Sequence, residues 1–172
     1  VKSETHERKV KNINPYLVEA KDLIIQKRKK PLCDVPEISF GSMPNDGGNL
    51  LLTDEEKKEF IKKEPEAKKF IRPLISAKEY LNGEKRWCLW LADIQPYELK
   101  MMPEIFRRVQ LVKEHRIKSN RATTKKLEAF PTLFGEDRQP NSDYIFIPLT
   151  TSENRDYIPL DFIKKNNIAN NT

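Results

Sequence analysis

Two short motifs near the start of the chain have residue types and spacings that occur in catalytic sites. Glu19-Ala20-Lys21 has the Glu-x-Lys spacing of many metal-dependent nucleases, and Asn14-Pro15-Tyr16 is one proline short of the Asn-Pro-Pro-aromatic loop of amino-methyltransferases. The nuclease site also needs an upstream acid on a neighbouring strand, and only Glu4 and Glu7 come earlier. A chance match, and a proline turn with a packing tyrosine, are the simpler interpretations.

The remaining reactive side chains do not form a catalytic or metal-binding set. Cys33 and Cys88 are far apart in the sequence, and His6 and His115 have no partner at a zinc-ligand spacing. Gly47-Gly48 is the only close pair of glycines, which is too few for a phosphate-binding loop. We therefore predict no catalytic residue and no metal site, and we expect the chain to bind rather than to catalyse.

The composition narrows the class of protein. A chain of 172 residues is one domain or one domain with arms, and its longest apolar run, residues 87–92, is too short to span a membrane. Two cysteines are too few for a secreted disulfide scaffold, so a cytoplasmic protein with free thiols is expected. With 32 Lys and Arg against 26 Asp and Glu, the net charge of +6 permits an anionic partner without requiring one.

Most of the excess positive charge lies in residues 97–130. This segment holds nine Lys or Arg and four Glu, which gives +5 of the net +6. If one continuous helix covers it, four cations form a stripe that can track phosphates. A solvated helix face explains the same pattern, and both interpretations stay open. Arg116 and Lys113 are expected to extend their charged ends past the apolar seam. The stripe consists of Arg107, Lys118, Arg121 and Lys125.

Capping signals predict two of the helices that must position these residues. Thr53-Asp54-Glu55-Glu56 is a capping box, which predicts a helix over residues 54–64 that stops before a proline. Ser76 can cap a short helix that ends at Asn82-Gly83. Ile105, Val109 and Val112, at i, i+4 and i+7, predict a longer helix over residues 103–119. A short helix is predicted before it, over residues 95–101, and residues 123–130 continue or restart the long one.

Strand signals lie before and after these helices. Residues 85–91 are apolar on both faces and predict a central strand, with Trp87 and Trp90 on opposite faces, one in the core and one under a helix. Ile38 and Phe40 alternate with polar neighbours, which predicts a strand over residues 37–42. With a second strand over residues 49–52, across the turn at residues 44–48, it predicts a hairpin. The predicted fold class is α+β, with a mixed or antiparallel β-sheet and a helical insert in a single domain. The other predicted strands are residues 22–27, 70–75, 143–148 and 156–160.

Several stretches in order from about residue 13 to 163 resemble the target-recognition domain of the MmeI-like DNA restriction-modification enzymes. Any one stretch alone is unspecific, whereas together they cover most of the chain. The resembling stretches are Ile13-Asn14-Pro15-Tyr16-Leu17, Lys30-Pro31-Leu32-Cys33-Asp34-Val35-Pro36, Phe40-Gly41-Ser42-Met43-Pro44-Asn45-Asp46-Gly47-Gly48-Asn49-Leu50-Leu51-Leu52, Ile71-Arg72-Pro73, Asn82-Gly83, Arg86-Trp87-Cys88-Leu89-Trp90-Leu91, Arg138-Gln139-Pro140 and Ser152-Glu153-Asn154-Arg155-Asp156-Tyr157-Ile158-Pro159.

The resemblance implies a place in a large bacterial enzyme that combines a nuclease, an adenine-N6 methyltransferase and a specificity domain. Residues 13–165 would be the specificity domain, residues 1–12 an arm or linker, and residues 166–172 a polar tail, with the recognition region continuing past Thr172. The partners implied are double-stranded DNA and the methyltransferase and nuclease domains of the parent chain. S-adenosylmethionine and magnesium would act in those domains, and this fragment would hold no cofactor.

The resemblance also favours particular residues as contacts to DNA. Lys118, Arg121, Lys125 and Arg107 are predicted phosphate contacts. Reading of bases would need polar side chains at loop tips, and the candidates there are Asn45, Asp46, Asn154 and Arg155, although turn chemistry alone explains the first two. An alternative of another class is a scaffold domain that docks on the methyltransferase core without reading bases. A third, weaker hypothesis is a nuclease around Glu19 and Lys21.

Overall fold

The computed structural model describes residues 9–24, 26–28 and 30–171, and the chain divides into two compact units, residues 1–38 and 39–172. In the first unit, the side-chain oxygen of Asn14 accepts the backbone N–H groups of Tyr16 (2.9 Å) and Val18 (3.2 Å). This closes the predicted proline turn. The described part of residues 22–27 is not a strand, and Ile25 lies outside the described residues. Most of the predicted arm, residues 1–8, also lies outside them.

The second unit is an α+β domain, as predicted. Its described residues form two sheets and five helices, with two 3-10 turns at Pro65–Phe70 and Leu127–Ala129. The helices are α1 Asp54–Lys63, α2 Ala77–Asn82, α3 Pro96–Met101, α4 Pro103–Lys118 and α5 Ala122–Lys126, and the strands are β1 Leu51–Leu52, β2 Ile71–Ile75, β3 Arg86–Leu89, β4 Tyr144–Phe146, β5 Asp161–Ile163 and β6 Ile168–Ala169.

The main sheet has the strand order β1-β3-β2-β6. Pairing is antiparallel except between β2 and β6, which run parallel, so the sheet is mixed. The prediction of a central strand is confirmed, since β3 lies between β1 and β2 and both Cys88 and Leu89 are completely buried. The second sheet is the antiparallel pair β4 and β5.

The predicted helix signals are confirmed. The Thr53 N–H donates to Glu56 Oε2 (2.8 Å), and the Glu56 N–H donates to Thr53 Oγ1 (3.2 Å), which is the capping box. Gly83 ends α2 in the left-handed conformation, at φ 68°. Ile105, Val109 and Val112 form the buried seam of α4 against the sheet.

The two tryptophans occupy the two predicted environments. Trp90 is in the core, with its ring centroid 4.9 Å from that of Phe134. Trp87 lies under α1, where its Nε1 donates to Asp54 Oδ1 (3.1 Å) and the Lys57 ammonium stands 3.0 Å from the ring centroid. Both rings therefore serve packing within the domain.

The predicted hairpin around residues 44–48 is wrong. Ile38 is 87% exposed and neither it nor Phe40 is in a strand, and β1 pairs with β3, with Leu51 opposite Cys88. Ser42 and Met43 instead form isolated bridges with Asn170 and Glu136. The structure does contain a turn at residues 44–48. The segments before and after the turn do not pair with each other, because each pairs with a segment that is distant in sequence.

Two predictions near the C-terminus also differ from the structure. Residues 156–160 are not a strand, because β4 pairs with the next segment, which places Phe146 opposite Asp161. Residues 166–172 contain β6, whose Ile168 is completely buried beside Leu74, so they are an edge of the sheet rather than a polar tail. Within the described residues, no helix has the length and apolarity to cross a membrane.

Candidate nucleic-acid interface

The basic segment is not one continuous helix. Helix α4 ends at Lys118, Ser119 is extended, and α5 restarts at Ala122. Ser119 Oγ accepts the N–H of Arg121 at 3.2 Å, a local bond that competes with helix continuation. The linear stripe expected for a continuous helix is therefore absent. Arg107 and Lys118 lie on α4, whereas Arg121 and Lys125 lie on residues 121–126, which we call the α5 segment.

The four candidates differ in their partners. Arg107 lies 3.3 Å from Glu104 and Lys118 lies 3.9 Å from Glu114, both on α4. Such exposed pairs are weak and can be exchanged for an external anion at little cost. Arg121 and Lys125 are exposed and form no ion pair within the part of the chain that the structure describes. They are the most available of the four to an anionic partner.

Arg116 is placed against expectation. The sequence predicts that its charge extends past the apolar seam, yet the residue is 0% exposed. Among the described residues, its guanidinium donates to backbone carbonyl groups. Burial lowers the pKa of this guanidinium, and the nearby Asp46 carboxylate opposes that shift. The bonds join the end of α4 to the turn at residues 44–45 and to the segment at residues 127–133. The five acceptors are the carbonyls of Pro44 (2.9 Å), Asn45 (3.0 Å), Leu127 (3.0 Å), Phe130 (2.8 Å) and Leu133 (2.7 Å).

The sequence contained a signal for this burial. Arg116 follows Ile105, Val109 and Val112 at i+11, so the helical period that predicts the apolar seam also places Arg116 on it. Arg108 is a second structural cation, whose Nη1 donates to the carbonyls of Asn49 (2.9 Å) and Leu51 (3.3 Å). Burial also lowers the pKa of Arg108. Two of the nine cationic side chains in the segment therefore stabilise the fold by donating to backbone carbonyl groups.

The side chains of the turn at residues 44–48 stabilise the turn itself, which is the interpretation that turn chemistry favours. Asp46 is only 3% exposed, and its carboxylate accepts the N–H groups of Gly48 (3.0 Å) and Leu50. Gly47 has a φ of 66°, and a Cβ there would lie 2.7 Å from His115 Nδ1, so a side chain would be both strained and crowded. Asn45 is left-handed, at φ 47°, and packs on Gly135. The Asp46 carboxylate is committed to the turn.

Asn154 and Arg155 lie in the connection between β4 and β5. The Asn154 N–H donates to Ser152 Oγ and the Arg155 N–H donates to the Ser152 carbonyl, both at 3.2 Å. These backbone bonds form a turn, and both side chains are exposed to solvent. The structure therefore leaves the two side chains accessible.

A polar cleft of about 430 Å³ lies at one end of the main sheet and was not found from the sequence. Arg72 of β2 stands 6.0 Å from the Trp90 ring centroid in this cleft, beside Asp93, Gln139 and Lys165. Gln139 holds the turn before β6, because its Nε2 donates to the carbonyls of Lys165 (3.0 Å) and Asn167 (2.9 Å). The available signal was an arginine inside a predicted strand, since arginine side chains are mostly found at accessible positions.

The remaining candidate reactive groups are Glu19, Lys21 and the two cysteines. Glu19 and Lys21 line a shallow open pocket within the first unit. Over the described ranges, no group of three His, Cys, Asp or Glu side chains is arranged to hold a metal ion. Cys33 and Cys88 are both free thiols, and burial raises the pKa of Cys88 to about 12, so this thiol stays protonated and unreactive.

Comparison with known proteins gives matches that cover nearly the whole chain. The family model described as "MmeI, target recognition domain" matches residues 19–172. DNA methyltransferase A of Bacillus subtilis (strain 168) is 38% identical over 162 residues, which are 94% of this chain and 18% of that protein. A solved structure of the Type IIL restriction-modification enzyme MmeI in complex with DNA matches with a TM-score of 0.86 and 41% identity. That match covers 98% of this chain and 23% of the solved chain, so the chain spans about a fifth of the length of these relatives.

Proposed function

This chain belongs to the family of MmeI target recognition domains, and from that premise we propose that it binds double-stranded DNA and holds it in register for a restriction-modification DNA methyltransferase. The observation that carries the proposal is the match over 98% of the chain, at 41% identity, to an enzyme solved in complex with DNA. The accessible cations of the α5 segment support it, because phosphate contacts supply most of the affinity for DNA.

The chain covers only a small share of its relatives' length, so we assign the chemical steps to other domains of the parent protein. We propose that the parent protein transfers a methyl group from S-adenosylmethionine to adenine, and that cleavage with magnesium takes place in a separate nuclease domain. This domain contributes positioning and no chemical step. The proposed location is the cytoplasm, where restriction and modification act on DNA.

Within the domain, we propose Arg121 and Lys125 as the leading phosphate contacts, followed by Lys118 and Arg107. The order follows their ion pairs, since the last two must exchange an acidic neighbour for a phosphate. Asn154 and Arg155 are proposed base contacts because they are exposed at a turn. Asn45 is a lesser candidate, and Asp46 is no longer proposed, because its carboxylate binds the backbone of its own turn.

The test is a salt titration of duplex DNA binding with charge-reversal variants. Arg121→Glu with Lys125→Glu should weaken binding to all sequences alike, and the slope of log affinity against log salt should become shallower by about 1.8, at ~0.9 per phosphate contact. Lys62→Glu with Lys63→Glu is the matched control, because it changes the net charge equally at two exposed positions of α1.

The comparison of the two pairs decides the outcome. A loss confined to the α5 pair supports a local phosphate site. Equal losses from both pairs would mean that only the net charge matters, and the proposed contacts would then be abandoned. If neither the wild-type chain nor its parent enzyme retains DNA at low salt, the proposed function itself is wrong.

A further inference from the structure

The small sheet of β4 and β5 has one face turned into the domain. Phe146 is buried, with its ring centroid 5.4 Å from that of Tyr80, and the Tyr144 hydroxyl donates to the Asn167 carbonyl (2.8 Å). Since side chains alternate along a strand, Ile145, which lies between these two residues, must be on the opposite face.

That opposite face is apolar and exposed. Ile145 and Phe162 are directly opposite each other in the antiparallel register, and they are 54% and 76% exposed. Ile147, which directly follows β4, and Leu160, which directly precedes β5, are exposed as well. We call these four residues the outer β4–β5 face. In the connection between the strands, Leu149, Tyr157 and Ile158 are also each more than half exposed.

An uncovered apolar face on a two-stranded sheet is unfavourable for the stability and solubility of an isolated domain. A two-stranded sheet is marginally stable without a covering layer, and contiguous exposed apolar surface marks an interaction site. At the end of the strands, Lys164 forms an ion pair with Asp143 at 2.9 Å. The face and this pair together carry no net charge, so the polyanionic backbone of DNA is a poor occupant for the face.

We infer that the outer β4–β5 face is an interdomain contact, covered by an apolar surface of the part of the parent polypeptide that lies outside these residues. The chain corresponds to 23% of the solved chain it matches and 18% of its curated relative, so in such proteins most of the polypeptide is available to cover it. The inference rests on the proposed membership of a multidomain methyltransferase, but it does not depend on DNA binding.

The test is hydrogen–deuterium exchange without DNA, on this chain alone and on the complete parent protein. Peptides that contain β4 and β5 should exchange at least about tenfold more slowly in the parent, because covered strands open less often. Ile145→Ser with Phe162→Ser should abolish that protection in the parent while the folded spectrum of the chain alone is unchanged. Tyr97→Ser with Met101→Ser, at two exposed apolar positions of α3, is the matched control and should have no effect on these peptides.

Three results would overturn the inference. Equal exchange of these peptides in the chain and in the parent would show that the face stays open. Protection that appears only at high concentration of the chain alone, with a doubled mass in solution, would assign the face to a second copy. Protection that requires added duplex would assign it to DNA. None of these results alters the salt titration, so the two proposals can fail separately.

Discussion

At the scale of single residues, Arg116 shows how a charged side chain can belong to the core. Its planar guanidinium has five donors, and each of its five bonds ends on a backbone carbonyl oxygen. Three of these carbonyls, those of Pro44, Leu127 and Phe130, also accept a backbone N–H. A charge without a carboxylate partner is costly to bury, and the bonds to carbonyl dipoles offset that cost. The side chain thereby joins the 44–48 turn and the segment at residues 127–133 to α4.

Removal of this side chain should therefore destabilise the domain strongly. We predict that Arg116→Ala lowers the free energy of unfolding by more than ~3 kcal/mol, because five charge-assisted hydrogen bonds inside the fold are lost at once. Arg116→Lys keeps the charge with fewer donors and should lose less. The measurement is urea unfolding, with Arg121→Ala as the control, expected within about 0.5 kcal/mol of the wild type. Similar losses from Arg116→Ala and Arg121→Ala would contradict the structural role.

At the scale of elements, local caps were predictable and distant ones were not. The boxes at Thr53 and Ser76 join residues three apart, so the sequence pattern contains the whole interaction. Helix α4 is capped by Glu64, whose carboxylate accepts the N–H groups of Glu104 (3.2 Å) and Ile105 (3.1 Å) from 40 and 41 residues away. No sequence window includes both partners, and only the fold brings them together.

Strand β6 illustrates the same limit in the main sheet. The surrounding Asn and Lys residues make this segment look like a tail, but Ile168 is completely buried opposite Leu74. We predict that Ile168→Ala lowers the free energy of unfolding by about 2–5 kcal/mol, the usual cost of a large-to-small change in a core. Ile158→Ala, an identical change at a position 70% exposed, is the control. Thermal unfolding of both variants checks the prediction, which fails if the two melting temperatures are equal.

At the scale of the whole molecule, the chain is two units with different construction. The residues of the hydrophobic core all lie between Leu50 and Ile168, in the second unit. In the first unit, the described residues contain no helix or strand and are organised by side-chain bonds such as those of Asn14. The cooperative stability of the molecule should therefore reside in residues 39–172.

This leads to a prediction about the second unit alone. Residues 39–172, expressed without the first 38, should unfold cooperatively with nearly the same midpoint as the full chain, because the core cluster and both sheets are retained. Tryptophan fluorescence is a specific measure, since the two tryptophans of the chain, Trp87 and Trp90, both lie in this unit. Loss of a cooperative transition would show that the first unit is required for folding.

The sequence by itself determined the α+β class, most helix boundaries, the central strand and, through its resemblance, the family. These features rest on interactions within a few residues or on patterns that repeat along one element. Only the tertiary structure decided the pairing of β1, the inclusion of β6, the break between α4 and α5, and the separation of buried from available cations. The physical reason is that a strand edge or a guanidinium bonds whichever backbone the fold brings close, and those partners are distant in sequence.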